Sequence, residues 1–284
     1  MLKEQSFNTG FATINYAEGP CSGPPLVLLH GIISRWQYFL PIIPSLSTRW
    51  HIFALDFRGH GKSGRVQGKY RIDDYAEDTI AFIQHNLTEP AVLFGHSVGG
   101  AVSLLIAARY PESVKAIVVG DTPLCAESLS KGIDPNLFAT WKNLASSRYS
   151  VEEIANKLAD TSISLVGQLI QVRLKNLPGT DEAFLRFEAK SLSELDPEVL
   201  TPVIDGKMFG GYNDKDLLPA VSCPVLLLQG NPVLGAAMSD SDVKRALSLF
   251  PNAIRIRIEG VGHELHLNRA EPVIRAITYF LESL

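Results

Sequence analysis

The sequence has little cysteine, no block of like charges and no long apolar run. Its three cysteines show no C-x-x-C spacing, so we expect neither a disulfide framework nor a cysteine-based metal site. The longest apolar runs, such as LLIAA, fall far short of the roughly 20 residues that span a membrane. With a formal net charge of −4 and no basic cluster, the chain lacks the electrostatic signature of nucleic-acid-binding proteins.

The amino terminus also lacks the continuous apolar stretch of a secretory signal, and we therefore expect a cytoplasmic protein. The composition, with 46% hydrophobic and 20% charged residues, is typical of a globular chain. Its 284 residues are enough to bury a large core.

Short apolar runs recur along the chain, and each ends at a glycine or a turn and is followed by a helical pattern. Because these runs show no apolar–polar alternation, we expect strands that are buried on both faces of a parallel sheet. Alternation of such strands with helices indicates an α/β fold. The runs are PLVLLHG (25–31), HIFALDF (51–57), AVLFG (91–95), KAIVVGD (115–121) and PVLLLQG (224–230).

One run has a different pattern. In AIRIRIEG (253–260), isoleucines alternate with arginines, which is typical of an edge strand with one solvated face. Helices are expected over residues 73–87 and 98–110, where the apolar positions have helical spacing.

The strand pattern disappears between residues 123 and 220, where we expect amphipathic helices instead. One of them is opened by a capping box at Ser150 and Glu153. We therefore predict a mostly parallel central sheet with helices on both faces, formed by residues 1–122 and 221–284. Residues 123–220 are predicted to form an inserted helical lid.

The stretch Gly95-His96-Ser97-Val98-Gly99 has the pattern G-x-S-x-G, directly after a predicted strand and directly before a predicted helix. In a nucleophile elbow this pattern forms a sharp, strained turn that lifts the serine hydroxyl above the strand ends. The glycines allow strand and helix to approach closely, and the helix N-terminus offers free N–H groups. Ser97 is thus the candidate nucleophile; the alternative is a helix cap, for which serine is well suited.

A serine hydroxyl needs a base to take its proton, and His263 stands in the loop sequence G-H-E after the predicted edge strand. The alternative for His263 is an ordinary surface histidine. The negative oxygen that forms during acyl transfer needs two convergent N–H donors. We expect these donors to be the backbone amides of Val98, directly after Ser97, and of Ile32, in the loop after strand 25–31.

Two nucleotide-binding patterns are present only in part. G-x-G-x-x-G at 59–64 is not followed at once by a helix, as a dinucleotide site requires. A phosphate-binding loop ending at Lys62-Ser63 would need glycine where Asp56 stands. Because no H-E-x-x-H occurs and the cysteines are scattered, we expect no metal and no cofactor.

Four motifs, in their order along the chain, resemble those of the α/β-hydrolase superfamily over nearly the full length. They are His30-Gly31, D-x-R-G-x-G-x-S at 56–63, the elbow at 95–100, and Gly262-His263. The resemblance implies a cofactor-independent hydrolase with a triad in the order serine, acid, histidine. It also implies a structural role for the turn at 56–63, with Arg58 held by nearby carboxylates or carbonyls.

The acid departs from the commonest pattern of the superfamily. Many relatives carry G-x-x-D after the strand at 224–230, but here Val233 stands in place of the aspartate, and valine cannot accept a hydrogen bond from imidazole. Another position used in the superfamily follows the strand after the elbow helix, where Asp121 stands. We therefore expect Asp121 to be the triad acid, with Asp240 as the alternative. A turn residue is the competing interpretation of Asp121.

Together these residues predict a serine hydrolase that cleaves a carboxylic ester or lactone of a small to medium apolar substrate through an acyl-enzyme. Four aromatic residues are expected to line the substrate pocket, namely Trp36, Phe39, Phe138 and Trp141; for the first two, packing in the core is the alternative. The expected partner is a small-molecule substrate, with no nucleic acid and no membrane. Nothing in the sequence indicates an oligomeric state.

Other functions stay open at this point. Hydrolysis of a carbon–carbon bond in a ring-cleavage product uses the same triad, as in the meta-cleavage hydrolases that the chain also resembles. A basic residue that contacts a substrate carboxylate would favour this activity. Acyl transfer or perhydrolysis is a third option. A ligand receptor with a weak triad belongs to a different class, and it is favoured if Asp121 lies beyond hydrogen-bond reach of His263.

Overall fold

The computed structural model describes residues 2–125, 134–165, 170–177, 179–210 and 212–284. In these ranges the strands are β1 (Lys3–Asn8), β2 (Thr13–Glu18), β3 (Pro25–Leu29), β4 (His51–Leu55), β5 (Ala91–His96), β6 (Val114–Gly120), β7 (Ser162–Leu165), β8 (Ile170–Arg173), β9 (Val225–Gln229) and β10 (Ala253–Arg257). The α-helices are α1 (Ile43–Leu46), α2 (Ile72–Asn86), α3 (Val98–Arg109), α4 (Pro135–Ala145), α5 (Val151–Asp160), α6 (Glu182–Glu194), α7 (Thr201–Ile204), α8 (Asp214–Ala220), α9 (Asp240–Leu249), α10 (Leu265–Asn268) and α11 (Ala270–Glu282). Within the described ranges, none of the helices combines the length and the apolar character that a membrane span requires.

Eight of these strands form the central sheet, in the order β1-β2-β4-β3-β5-β6-β9-β10. All neighbours from β4 to β10 run parallel, and β2 is antiparallel to both β1 and β4. The predicted α/β class and mostly parallel sheet are therefore confirmed. All six predicted strands are present, and the hairpin of β1 and β2 is an addition to them.

The sheet separates two apolar layers, because consecutive residues of a strand point to opposite faces. In β3, Val27 and Leu29 pack into the layer that includes residues of α2 and α3, whereas Leu26 and Leu28 pack into the layer that includes residues of α11. The unbroken apolar runs are thus buried on both faces, as predicted. The loops that follow the parallel strands meet at one edge of the sheet, where ligands bind in open α/β folds.

Strand β10 lies at the edge of the sheet, as predicted, but its residues do not divide into buried isoleucines and solvated arginines. Ile254 is 49% exposed. Arg255 and Arg257 instead donate hydrogen bonds to Oε1 of Gln229, at 3.1 and 3.4 Å. The buried amide of Gln229 on β9 gives both arginines a polar partner, although Arg255 remains exposed and Arg257 is half-buried.

The segment between β6 and β9 contains helices α4 to α8, and residues 126–133, 166–169, 178 and 211 of this segment lie outside the described residues. The expectation of helices alone is wrong at residues 162–165 and 170–173, where β7 and β8 pair as an antiparallel hairpin. Ile163 and Val172 face each other across this hairpin, and β-branched pairs of this kind favour strands.

The helix ends in this segment have the capping residues that their sequences indicate. Ser150 begins α5 with the predicted capping box: its hydroxyl accepts a hydrogen bond from the Glu153 amide at 3.2 Å, and the Glu153 carboxylate accepts one from the Ser150 amide at 2.7 Å. At the start of α6, the carboxylate of Asp181 accepts a hydrogen bond from the amide of Phe184 at 2.8 Å. These caps satisfy backbone donors that a helix N-terminus would otherwise leave free.

Arg58, in the turn after β4, forms an ion pair with Asp78 of α2 in which both side chains are only 2% exposed. Nε of Arg58 lies 2.5 Å from Oδ2 of Asp78, and the other carboxylate oxygen accepts a hydrogen bond from Thr9 at 2.6 Å. The arginine is thus held by carboxylates, as the sequence implies, and the pair joins the turn after β4 to helix α2.

We expect Asp78→Ala to lower the free energy of unfolding by about 3–5 kcal/mol, because the buried Arg58 charge then loses its hydrogen-bonded partner and keeps only Asp74, 3.9 Å from its Nη1. The control, Glu182→Gln, removes an exposed ion pair with Arg186 on α6, and its loss should cost less than about 0.5 kcal/mol. Urea denaturation followed by circular dichroism measures both variants. Equally small losses in the two proteins would contradict a structural role for the buried pair.

Candidate active site

Ser97 occupies a strained turn between the end of β5 and the start of α3. Its backbone has φ 54° and ψ −121°, a conformation that costs an ordinary residue about 1–3 kcal/mol. The side chain makes no helix-capping hydrogen bond, so the cap interpretation does not describe what this serine does. Close packing surrounds the turn: a Cβ added to Gly95 would lie 2.1 Å from the carbonyl oxygen of Gly99.

Asp121 and His263 are in direct contact, although 142 residues separate them in the chain. Nδ1 of His263 lies 2.7 Å from Oδ2 of Asp121. Asp121 follows β6 and is fully buried, whereas His263 lies in the loop after β10. The structure therefore brings together the two residues that the sequence assigned to the acid and the base.

Three backbone amides also donate hydrogen bonds to the Asp121 carboxylate. They belong to Gly230, Ala237 and Met238, at 3.2, 2.6 and 3.3 Å. All three lie in the loop after β9, which is the loop that carries the acid in many relatives of the superfamily. A carboxylate that accepts several N–H bonds can remain charged in a buried position.

The alternative acid, Asp240, is directed elsewhere. Its carboxylate accepts hydrogen bonds from Gln229 at 3.0 Å and from Arg257. Asp240 is therefore part of the hydrogen-bonded cluster that Gln229 forms with the arginines of β10. Val233, at the position of the missing aspartate, is 68% exposed at the rim of the cavity. Of the two carboxylates considered for the acid, only Asp121 has a hydrogen bond to His263 among the described contacts.

The pKa of His263 is raised above its ordinary value. Desolvation disfavours the charged ring, but the hydrogen bond and the negative charge of Asp121, together with the charge of Glu264, outweigh that effect. In the neutral ring, Nδ1–H donates to Asp121, which leaves Nε2 with a free lone pair.

A polar network joins the loop of His263 to the serine turn. Nε2 of His96 lies 2.9 Å from the carbonyl oxygen of His263, and the Tyr38 hydroxyl donates to the Glu264 carboxylate at 2.6 Å. The Tyr38 hydroxyl also lies 3.3 Å from Nε2 of His96. Burial places the pKa of His96 well below its ordinary value, so the ring is neutral. Its Nε2–H therefore donates the hydrogen bond to the carbonyl oxygen of His263.

The amides of Ile32 and Val98 lie at the wall of the cavity that contains Ser97. Neither amide has a hydrogen-bond acceptor among the described residues. The loop of Ile32 passes close to the serine, since a Cβ added to Gly31 would lie 3.8 Å from Oγ of Ser97. Nδ1 of His30 lies 2.7 Å from the carbonyl oxygen of Gly31, which is in the same peptide group as the Ile32 amide, and this contact helps to orient that peptide.

The cavity has a volume of about 650 Å³, and Ser97, His96 and His263 line it. The expected pocket residues Phe138 and Trp141 line it as well. Most of its apolar wall comes from the segment between β6 and β9: Leu137, Phe138, Trp141, Leu174, Phe184, Met208 and Phe209. In the parts of the chain that the structure describes, no group of three or more His, Cys, Asp and Glu residues could hold a metal ion.

Trp36 and Phe39 do not line the cavity, and their assignment to the pocket is corrected. Both are buried in the apolar layer beneath the sheet, in the short 3-10 helix Trp36–Phe39. The indole N–H of Trp36 donates to Glu4 at 2.7 Å, and its backbone amide donates to Asp56 at 2.7 Å. These two bonds hold the helix so that Trp36 and Phe39 face the core.

Two glutamates that the sequence interpretation did not assign also line the cavity. They are Glu188 on α6 and Glu264, next to His263. A sequence signal for Glu188 exists, because it lies on the same helical face as the buried Leu185 and Leu192. A carboxyl group on the apolar face of a helix is unusual and often indicates a polar site.

A family model described as the α/β hydrolase fold matches residues 24–270. The 2-(acetamidomethylene)succinate hydrolase of Mesorhizobium japonicum is 27% identical over 96% of this chain and 93% of its own length. The pimeloyl-[acyl-carrier protein] methyl ester esterase of Chromobacterium violaceum is 24% identical over 92% of this chain and 95% of its own length. The crystal structure of an E-2-(acetamidomethylene)succinate hydrolase has a TM-score of 0.78 at 24% identity, covering 99% of this chain and 100% of that one. The chain therefore belongs to the α/β hydrolase fold family.

We expect Asp121→Asn to lower the pKa of His263, because the variant loses the negative charge that opposes desolvation of the imidazolium. The histidine then releases its proton at lower pH than in the unmodified protein. Titration of the ring Cε1–H resonance by NMR measures the change, and Asp240→Asn, away from the ring, is the matched control. An unchanged or higher pKa in Asp121→Asn would contradict the contact between the two residues.

Proposed function

We propose that the protein is a serine hydrolase that cleaves a carboxylic ester or lactone through an acyl-enzyme. The observation that carries this proposal is the 2.7 Å contact between His263 and Asp121, with His263 lining the same cavity as the strained Ser97. A histidine oriented by a buried carboxylate, near a serine at a helix N-terminus, is the arrangement that activates a hydroxyl for attack on a carbonyl.

In the first half of the reaction, Oγ of Ser97 attacks the carbonyl carbon while Nε2 of His263 takes the hydroxyl proton. The tetrahedral intermediate carries a negative oxygen, which the amides of Ile32 and Val98 stabilise by about 3 kcal/mol each. The intermediate then collapses, and His263 returns the proton to the departing alcohol. The acyl group remains bound to Ser97 as an ester.

In the second half, a water molecule takes the place of the alcohol. His263 removes a proton from this water as its oxygen attacks the acyl carbon, and the proton then passes to Oγ of Ser97 as the acid leaves. Asp121 stabilises the imidazolium ring in both halves and keeps its tautomer fixed. The net reaction consumes one ester and one water and gives one acid and one alcohol.

The substrate is a small to medium molecule with an apolar portion. A cavity of about 650 Å³ is in the range that holds ligands of this size. Aromatic and aliphatic side chains such as Phe138, Trp141 and Phe184 form the wall that would contact the apolar part. The similarity to a methyl ester esterase over most of both chains supports ester hydrolysis.

The other functions have less support. Hydrolysis of a carboxylate-bearing substrate is suggested by the similarity to a 2-(acetamidomethylene)succinate hydrolase, but the carboxylate of Glu264 lines the cavity and would oppose a substrate anion. The same argument weighs against C–C cleavage of an anionic ring-cleavage product. The receptor hypothesis depended on an acid beyond reach of His263, and the 2.7 Å contact removes that reason.

We expect Ser97→Ala to abolish turnover of p-nitrophenyl esters, acetate to octanoate, because the nucleophile is absent. In the unmodified protein, a fluorophosphonate should label Ser97, as mapped by mass spectrometry, and the preferred chain length reports the size of the pocket. Ser103→Ala, in the same helix, is the matched control and should keep both properties. Labelling of Ser97 without turnover of any ester would replace ester hydrolysis by another acyl or C–C reaction, and absence of labelling would reject the nucleophile.

A further inference from the structure

Glu188 is a buried acidic residue in the cavity that the proposed mechanism does not use. Its side chain extends from α6, and the residue is only 7% exposed. Among the described residues it has no hydrogen-bond or ion-pair partner. The hydroxyl of Ser34, in the same wall, is sealed from solvent, whereas the Glu188 carboxyl group is accessible from the cavity.

The helix that carries Glu188 explains its burial. Leu185, Ala189 and Leu192 lie on the same face of α6 and pack into the core, so Glu188 points the same way. Burial of a carboxyl group without a partner has a free-energy cost that a protein normally avoids. A partner supplied by a bound molecule would remove that cost.

The surroundings of Glu188 determine its charge. Desolvation, with a further contribution from the charge of Glu264, raises the pKa of Glu188 well above its usual range, and the charge of Arg35 offsets only part of this effect. Arg35 is engaged elsewhere: it donates to Ser191 at 3.3 Å and lies 3.6 Å from Glu194. Burial therefore favours the neutral form of the Glu188 carboxyl group, which can both donate and accept a hydrogen bond.

Glu264 makes the part of the cavity next to His263 unfavourable for anions. Its carboxylate accepts the hydrogen bond of Tyr38, and the residue also lines the cavity. A substrate carboxylate placed here would add a second negative charge to a largely desolvated space. An uncharged polar group avoids this repulsion and can still bond to Glu188.

We propose that Glu188 determines the substrate class by hydrogen bonding to an uncharged polar group of the substrate, such as an amide or a hydroxyl. This proposal rests on the ester hydrolysis proposed above and makes it more specific. Substrates that carry a carboxylate in place of this group are rejected, and purely alkyl substrates lack the hydrogen bond.

Two matched ester series test the assignment. In the first, p-nitrophenyl esters carry straight acyl chains that end in a methyl, a carboxamide, a carboxylate or an ammonium group. In the second, the same four groups end the alcohol of a butyrate ester, and a pH-stat follows its hydrolysis. The two series cover both halves of the substrate, so a contact from either half to Glu188 is detected.

In one of the series, we expect the carboxamide ester to have a kcat/KM about tenfold above the methyl ester, which is the effect of one hydrogen bond. The carboxylate ester should be the poorest substrate. Glu188→Leu should reduce the carboxamide preference to about one, whereas Glu188→Gln should retain most of it because the amide also donates and accepts. Glu182→Gln, on the exposed side of the same helix, should match the unmodified protein.

Other results overturn the proposal. A carboxamide preference that survives in Glu188→Leu, or is absent from both series in the unmodified protein, removes Glu188 from substrate recognition. A carboxylate or ammonium ester that is the best substrate contradicts an uncharged partner. Fluorophosphonate labelling of Ser97 in every variant separates these outcomes from failure of the proposed function: labelling with unchanged preferences rejects only the subsite, whereas no labelling of the unmodified protein rejects both.

Thermal unfolding of the same variants distinguishes a ligand-binding role of Glu188 from a structural role, because the two predict opposite changes in Tm. If Glu188 serves a ligand, Glu188→Leu should raise the Tm of the free protein, because it removes a buried polar group that lacks a partner. If Glu188 instead stabilises the fold, the Tm should fall, and the proposal is wrong.

Discussion

The burial of the Asp121 carboxylate is the constraint on which the arrangement of the site depends. An ionised carboxylate in the interior is stable only when donors surround it, and here three amides and one imidazole do so. The amides come from the loop after β9 and the imidazole from the loop after β10. The side-by-side order of β6, β9 and β10 in the sheet is what allows both loops to reach the same carboxylate.

The strained turn at Ser97 depends on the same framework. Its left-handed backbone is held because β5 and α3 pack on either side with glycines where any side chain would collide. His96, at the end of β5, bonds to the carbonyl of His263, so the serine turn and the histidine loop cannot move independently. The stability of the doubly covered sheet thus offsets the local cost of presenting the hydroxyl.

Patterns that act over a short range were predictable from the sequence. Unbroken apolar runs gave the parallel strands, and the G-x-S-x-G stretch lies at the strand–helix junction where its glycines are needed. The direction of Trp36 was not predictable, because it depends on bonds to Glu4 and Asp56, which are distant in sequence. The β7–β8 hairpin was not predictable from the sequence, because its four-residue strands barely exceed the length of a turn.

The choice of the carboxylate that bonds to His263 also depends on contacts between distant parts of the chain. Sequence patterns left Asp121 and Asp240 as alternatives, and the choice depends on side chains of Gln229 and Arg257 that engage Asp240. Such competition between partners is a property of the folded chain. This competition cannot be predicted from the spacing of residues along the sequence.

The loop after β9 holds Asp121 only through its backbone, while the side chain of Val233 extends into solvent. The carboxylate therefore depends on the path of this loop, and that path requires glycine at two positions: a Cβ on Gly230 would lie 2.1 Å from the carbonyl oxygen of Gly262, and Gly235 has φ 90°. The length of the loop matters as well, since one residue inserted or deleted between Gly230 and Met238 would carry the amides out of register.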